Sequence, residues 1–367
     1  KAGRSVQGLV RGKRTLGKTA RKSDLNRRGG VMAKVLIANQ DEVAALLPMS
    51  ECIHVMEETL RGLARGEAIL PLRTGLVLPD GESLMGLMPS YMAGIQSVGV
   101  KVIAAFPKNY GTEYDAHQGV VLLFDTDRGL LRAVVDGTAV TAIRTAAVSG
   151  VATKLLAKED AADLAIIGAG TQARTHLEAM LLVREINRVR VHSRTMDSAR
   201  RFAEREERRH GIGIEVVETA REAVRGADVI CTVTTCDRPV VEGAWIAPGA
   251  HINAVGAFSP TTRELDTEAV VRSRLFVDRR ESTLNEAGEF LIPAKEGLID
   301  EEHIVGEIGE ILLGEVAGRQ SPSEITLFKS LGVAVEDLAA AHHVLRQALE
   351  SDLGTWVEIG GRHYGTD

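Results

Sequence analysis

Apolar residues recur at helical spacing in residues 50–66, SECIHVMEETLRGLARG, where Ile53, Met56, Leu60 and Leu63 share one face. Ser50 is placed to cap that helix, Glu51 lies in its first turn, and Gly66 stands where it would end. Short strand-like runs follow: TGLVL, SLMGLMPSYM, SVGVKVIAAF, GVVLLFD and LLRAVVDG. Turn signals such as Pro79-Asp80-Gly81 divide them. The pattern predicts an antiparallel, sheet-rich region with a leading helix. Near residue 150 it changes. SGVATKLLAKEDA reads as a helix and connector. DLAIIGAG, RVRVHSR, DVICTVT, HINAVGA and RLFVDRR read as buried strands, with TQARTHLEAMLLV and TAREAVRGA as helices among them. Alternation of this kind predicts βαβ units and a parallel sheet. The final segment, TLFKSLGVAVEDLAAAHHVLRQAL, reads as one long helix.

The length of 367 residues suggests two domains. The reading is an α/β protein. Aromatics make up only 4% of the chain, so the core is aliphatic and alanine-rich. No apolar run looks long enough to span a bilayer. Cys52, Cys231 and Cys236 are odd in number and lack metal-site or disulfide spacing, which points to a reducing, cytoplasmic setting. Residues 1–31 hold ten Lys and Arg against Asp24, a net +9; the whole chain is −6, so the remainder carries −15. The glycine-rich basic segment is expected to be a disordered leader before a fold starting near Met32. An acidic body argues against nucleic acid as a partner.

LAIIGAGTQARTH carries Gly168-Ala169-Gly170-Thr171-Gln172-Ala173 between an apolar strand and a helix, the context that makes this spacing a dinucleotide fingerprint. Gly168 makes the tight turn, Gly170 admits the pyrophosphate, and Ala173 lets helix and strand pack closely. The amides of Thr171 and Gln172 then face the phosphates from a helix N-terminus. The second strand ends in Ser193-Arg194-Thr195 without the acid that would bond a ribose 2′-hydroxyl. A guanidinium suits a 2′-phosphate, so NADP(H) is expected ahead of NAD(H), which this strand end also admits.

Arg144 lies in the small-residue stretch VVDGTAVTAIRTAAVSG, where a buried guanidinium needs either a distant carboxylate or an anionic ligand. Arg73 in PLRTGLVL and Lys101 in GVKVIAAFP occupy similarly apolar surroundings. Three convergent cations beside a nicotinamide would suit a small carboxylate, with the lysine as acid, base or electrophile.

LMGLMPSY, GVKVIAAFPKN, DGTAVTAIRTAAVSGVATKLLA, IIGAGTQA, GADVICTVT, PGAHINAVGAFSPTTRELD and FKSLGVAVEDLAAA resemble the ornithine cyclodeaminase/mu-crystallin family, from about residue 33 to the end. The resemblance is closest to its ketimine-reductase branch. It implies a Rossmann dinucleotide-binding domain over residues 151–324, a substrate domain built from residues 32–150 and 325–367 through which the protein dimerises, carboxylate-binding roles for Arg73 and Arg144, and an active-site role for Lys101. It also implies cofactor contacts from Val233, Thr234, Thr235, Val255, Gly256 and Ser330. Two departures stand out. Cyclodeaminases carry an aspartate where this chain has Phe258, and a glutamate where it has Gly86. The implied activity is therefore NADP(H)-dependent reduction of cyclic imino acids such as Δ1-pyrroline-2-carboxylate or Δ1-piperideine-2-carboxylate, against an apolar wall at Phe258. Ornithine cyclodeaminase, alanine dehydrogenase and a non-enzymatic NADP(H)-dependent binding protein are the alternatives.

The remaining signals are weaker. His342 and His343 are adjacent on a helix and share no face, so no metal site is expected. Glu286 and Glu289 read as surface or interface residues, and Asp228 as a cap on the preceding helix.

Overall fold

The computed structural model describes residues 34–351, 353–361 and 363; the basic segment 1–31 lies outside them. One sheet is mixed. It contains β1 (Lys34–Ala38), β2 (Ala68–Ile69), β3 (Thr74–Val77), β4 (Leu84–Met92), β5 (Ser97–Ala105), β6 (His117–Asp125), β7 (Leu131–Asp136) and, from the other end of the chain, β16 (Thr355–Glu358). Its order is β16-β1-β7-β6-β5-β4, and β2 and β3 both pair with β4. All these pairings are antiparallel except β1 with β7. Helices α1 (Gln40–Leu46) and α2 (Met49–Ala64) follow β1.

The second sheet is wholly parallel. Strands β8 (Asp163–Ile167), β9 (Arg188–His192), β10 (Ile214–Val216), β11 (Val229–Thr232), β12 (His251–Ala254), β13 (Arg274–Val277), β14 (Ile304–Glu307) and β15 (Thr326–Lys329) run in the order β10-β9-β8-β11-β12-β15-β13-β14. The order reverses between β8 and β11, as in a doubly wound Rossmann sheet. The connecting helices are α4 (Thr171–Val183), α5 (Met196–His210), α6 (Ala220–Val224), α7 (Thr267–Val271), α8 (Arg280–Glu286), α9 (Gly288–Lys295) and α10 (Ile308–Leu313). Alternate residues of each strand serve opposite faces. Leu164 and Ile166 join a core with α4 and the mixed sheet, whereas Ala165 and Ile167 pack with Val224, Leu265 and Phe290 on the other side.

Two long helices tie the sheets together. α3 (Gly137–Leu156) begins directly after β7, where Asp136 Oδ1 accepts the Ala139 amide at 2.7 Å, and leads into β8. α11 (Ala334–Glu350) follows β15 and packs back on α2, α3 and the mixed sheet.

Several local expectations are corrected. Pro48, not Ser50, occupies the N-cap of α2, because the helix starts at Met49. Residues 326–329 are a strand rather than the start of a long helix. They are buried on both faces between β12 and β13, a position that overrides their helical spacing. By length and composition α3 could cross a membrane, contrary to the sequence expectation. Its apolar window is 78% buried, which marks a core helix. Asp228 does not cap α6; it accepts the amides of Ala162 and Asp163 at the start of β8 and pairs with Lys158.

Candidate active site

Arg144 projects from the middle of α3 and is 4% exposed. Its Nε donates to Asp337 Oδ1 at 3.0 Å and its Nη1 to Glu336 Oε2 at 2.7 Å. Lys101, on the buried face of β5, is 2% exposed and donates to the same Asp337 Oδ1 at 3.0 Å. The buried guanidinium therefore has a distant carboxylate partner, one of the two solutions the sequence left open. Both acids lie in the first turn of α11, where the helix dipole favours negative charge. Glu336 Oε2 also accepts the Val333 amide. One oxygen of each acid, Glu336 Oε1 and Asp337 Oδ2, is buried without a hydrogen bond.

Arg73 reaches the same place from the other side. Its Nη2 donates to the carbonyls of Leu331 and Gly332 at 3.1 and 3.0 Å, and its Nε faces Glu286 Oε2 at 3.0 Å. Asp278 holds that loop from below by accepting the Leu331 and Gly332 amides. The Arg144 guanidinium packs closely against Gly332. This residue has φ +71°, and a Cβ there would come within 2.8 Å of Arg144 Nη2. The loop between β15 and α11 thus meets both arginines, and only glycine fits at its centre.

Proximity shifts the charges. Burial pulls the Lys101 ammonium down to a pKa of about 8, against the pull of Asp337. Burial pushes Glu336 up to about 8, against Arg144. Burial also opposes the Asp337 carboxylate, but Arg144 and Lys101 together outweigh it and hold its pKa below the ordinary value.

The fingerprint turn lies nearby. Gly168, at φ +122°, approaches the residue that follows β11 so closely that a Cβ would sit 2.7 Å from the Val233 carbonyl. Ala169 follows it. Gly170 precedes α4 with no side-chain cap, and a Cβ there would meet nothing within 4 Å. That open space in front of the Thr171 and Gln172 amides fits a pyrophosphate. Ala173 is wholly buried against the sheet. Gln172 Nε2 donates to Thr141 O, one turn before Arg144, so the turn and the cation cluster share α3. Ser193 and Arg194 follow β9. Arg194 is exposed and makes no hydrogen bond or ion pair among the described residues, while Thr195 is occupied in capping α5.

Val233, Thr234 and Thr235 follow β11, and Val255 and Gly256 follow β12. Ser330 is buried at the end of β15, its amide bonded to Ala254 O. Phe258 is 44% exposed, with its ring edge-on to His117 at 5.9 Å. The first residue of β6 therefore faces the loop after β12 across the cleft. At Gly86, on β4, a Cβ would already come 3.0 Å from Ile103 Cγ2, which leaves little room for a longer side chain. Among the described residues no cluster of His, Cys, Asp and Glu could hold a metal ion.

Sequence reasoning missed Glu336, Asp337, Asp278 and His117. The signal for the first two was present: two adjacent acids inside VAVEDLAAA, where helical burial leaves no solvent for them. Glu289 is neither the surface nor the interface residue expected, whereas Glu286, half-buried, meets an arginine of the mixed-sheet part of the chain. Glu286 pairs with Arg73, and Glu289 is wholly buried against Lys329. Each offsets a cation brought in by a different element.

The family model for the ornithine cyclodeaminase/mu-crystallin family matches residues 33–352. The chain is 36% identical over 326 residues to the Delta(1)-pyrroline-2-carboxylate reductase of Bacillus cereus, covering 89% of this chain and all of that protein. It is 41% identical over 292 residues to the ketimine reductase mu-crystallin of Mus musculus, covering 79% and 89%. Among solved structures, Delta(1)-pyrroline-2-carboxylate reductase of Thermococcus litoralis in complex with NADH and L-proline superposes with a TM-score of 0.85. That pair is 42% identical over 88% of this chain and 99% of the other. The likeness spans the fingerprint turn, the cation cluster and both sheets: the chain belongs to the ornithine cyclodeaminase/mu-crystallin family.

Proposed function

We propose that this protein is an NAD(P)H-dependent reductase of cyclic imino acids, converting Δ1-pyrroline-2-carboxylate or Δ1-piperideine-2-carboxylate to L-proline or L-pipecolate. The observation that carries the reading is the convergence of Arg73, Lys101 and Arg144 on the turn that opens α11. The names of the related reductases support it.

Arg144 spends Nε and Nη1 on carboxylates of its own chain, so Nη2 is left to face a substrate carboxylate together with Arg73. Lys101 Nζ holds a proton beside Asp337 and passes it to the ring nitrogen as the C=N bond is reduced. A reduced nicotinamide, when bound, supplies the hydride to the imine carbon. Phe258 offers the ring an apolar wall and helps exclude water. The second ammonium of ornithine would find no carboxylate at Phe258 or Gly86, which disfavours cyclodeamination. Arg194, with Ser193 beside it, favours NADP(H) over NAD(H).

The active form is a homodimer. Ile69, Leu76, Met85 and Leu87 expose an apolar face on β2, β3 and β4, larger than scattered surface residues require. All three thiols are free, which suits the cytoplasm.

The test follows consumption of reduced nucleotide with each cyclic imine and with pyruvate plus ammonia, using NADPH and NADH in parallel, beside an ornithine-to-proline assay. Fast turnover of a cyclic imine with NADPH is expected. Proline from ornithine without net nucleotide consumption would overturn the reading.

A further inference from the structure

Behind the loops after β11 and β12 lies a second buried charge network, made of Glu264, Glu289 and Lys329, all 0% exposed. Glu264 Oε1 accepts the Thr234 amide at 2.6 Å and the Thr234 hydroxyl at 2.7 Å. Its Oε2 accepts the Gly256 amide at 2.7 Å and the Thr232 hydroxyl at 2.8 Å. Four donors, from the last residue of β11 and the two loops, thus fill one carboxylate. The Glu264 amide in turn donates to Glu289 Oε1 at 2.9 Å, and Glu289 Oε2 lies 3.2 Å from Lys329 Nζ. Lys329 donates to the Ala254 and Ala257 carbonyls at 3.3 and 2.5 Å, on either side of Val255 and Gly256. Each loop is therefore bonded to the carboxylate, and the β12 loop also to the ammonium.

The sheet order gives this network its purpose. A dinucleotide whose pyrophosphate lies at the α4 N-terminus extends along the carboxyl ends of the strands. In the order β10-β9-β8-β11-β12 its adenosine half would fall toward β9 and Arg194, and its other half toward β11 and β12. We infer that Glu264 is a positioning residue for the nicotinamide half of the cofactor, locking the loops after β11 and β12 into one wall with Glu289 and Lys329 as its support. The inference rests on the dinucleotide reading above. Glu264 touches neither cofactor nor substrate; it acts through Thr234 and Gly256.

Glu264→Gln keeps the shape but turns one acceptor oxygen into an NH2 group. In either orientation that group confronts a backbone N–H, of Thr234 or of Gly256. The experiment is calorimetric titration of wild type and variant with NADPH and, separately, with adenosine 2′,5′-bisphosphate, which reaches only the β9 side. NADPH affinity is expected to fall by about tenfold or more, and affinity for the bisphosphate to stay within about twofold. Thr232→Val removes a single donor and leaves the carboxylate in place, so it serves if Glu264→Gln does not fold; it is expected to show a smaller loss of the same kind. Equal loss for both ligands, or no loss for either, overturns the inference. If wild type binds neither ligand, the dinucleotide reading falls and this inference with it. If wild type binds NADPH but turns over no imino acid, only the substrate assignment falls, and the titrations still decide the role of Glu264.

Discussion

Lys101 Nζ and Asp337 Oδ1 are 3.0 Å apart, both side chains sealed from solvent, although 236 residues separate them in the chain. Asp337 keeps an ammonium charged where burial would neutralise it. With the Lys101 pKa at about 8, the proton it holds is lost above that pH, so the reduction rate should fall there. In Asp337→Asn the opposing anion is gone, Arg144 and Arg73 still repel the ammonium, and the pKa of Lys101 drops further. The falling limb should move to lower pH, with turnover at about pH 8 reduced by about a hundredfold. In Lys101→Arg that limb should vanish. A pH profile that Asp337→Asn leaves in place would exclude the role given to Lys101.

Gly332→Ala puts a methyl group into the Arg144 guanidinium at a backbone angle that alanine resists. Denaturant unfolding should show a loss of about 1–3 kcal/mol. The imino-acid KM should rise while NADPH affinity, set at the turn that opens α4, holds. Equal weakening of both ligands would count against the separation of the two subsites.

Arg194 is exposed and free of partners among the described residues, so its removal should cost little stability. Arg194→Ala should lower kcat/KM with NADPH by about 10- to 100-fold and leave NADH nearly unchanged. Parallel steady-state assays decide this. Equal losses with the two nucleotides would mean that the guanidinium does not read a 2′-phosphate.

His176 is wholly buried between Ser149 and the Gln172 carbonyl, and burial holds its pKa down to about 4. An unfolded histidine titrates near about 6.5, so between these values the unfolded chain binds more protons and acid weakens the fold. Glu336, raised to about 8, works in the opposite direction, which makes the raw stability curve a poor test. The difference between wild type and His176→Gln isolates the histidine. It should shift toward the variant by about 1.4 kcal/mol per pH unit from about pH 6 down to 4.

Leu76→Glu or Met85→Glu places a charge on the exposed apolar face of the mixed sheet. Light scattering should show a dimer for wild type and a monomer for either variant. A monomeric wild type would leave that face without the second copy assigned to it.

Much of this was legible beforehand. The fingerprint turn could be read because Gly168 and Gly170 answer to local geometry, and α4 spans the same residues, 171–183, that its pattern marks. The three cations stood out because charge is rare in apolar runs. Their pairing did not: Glu336, Asp337 and Glu286 come from elements far along the chain, and pairing across such distances leaves no periodic trace. β15 was hidden for a related reason. A four-residue strand buried on both faces has no alternation to reveal it, and Thr326–Lys329 runs into a true helix after one loop. β1 and β16 were likewise missed, since each is short and finds its place only by pairing with a strand remote in sequence.

The loop after β12 has a stiff backbone and an unconstrained side chain. Lys329 grips the carbonyls at 254 and 257, yet the ring at position 258 stands in the open, touching His117 only edge-on. A residue in that situation can be exchanged without unsettling anything beneath it. On the function proposed above, evolution has a cheap handle on selectivity here: one codon redraws the wall assigned to the substrate ring, while the cations assigned to its carboxylate stay untouched.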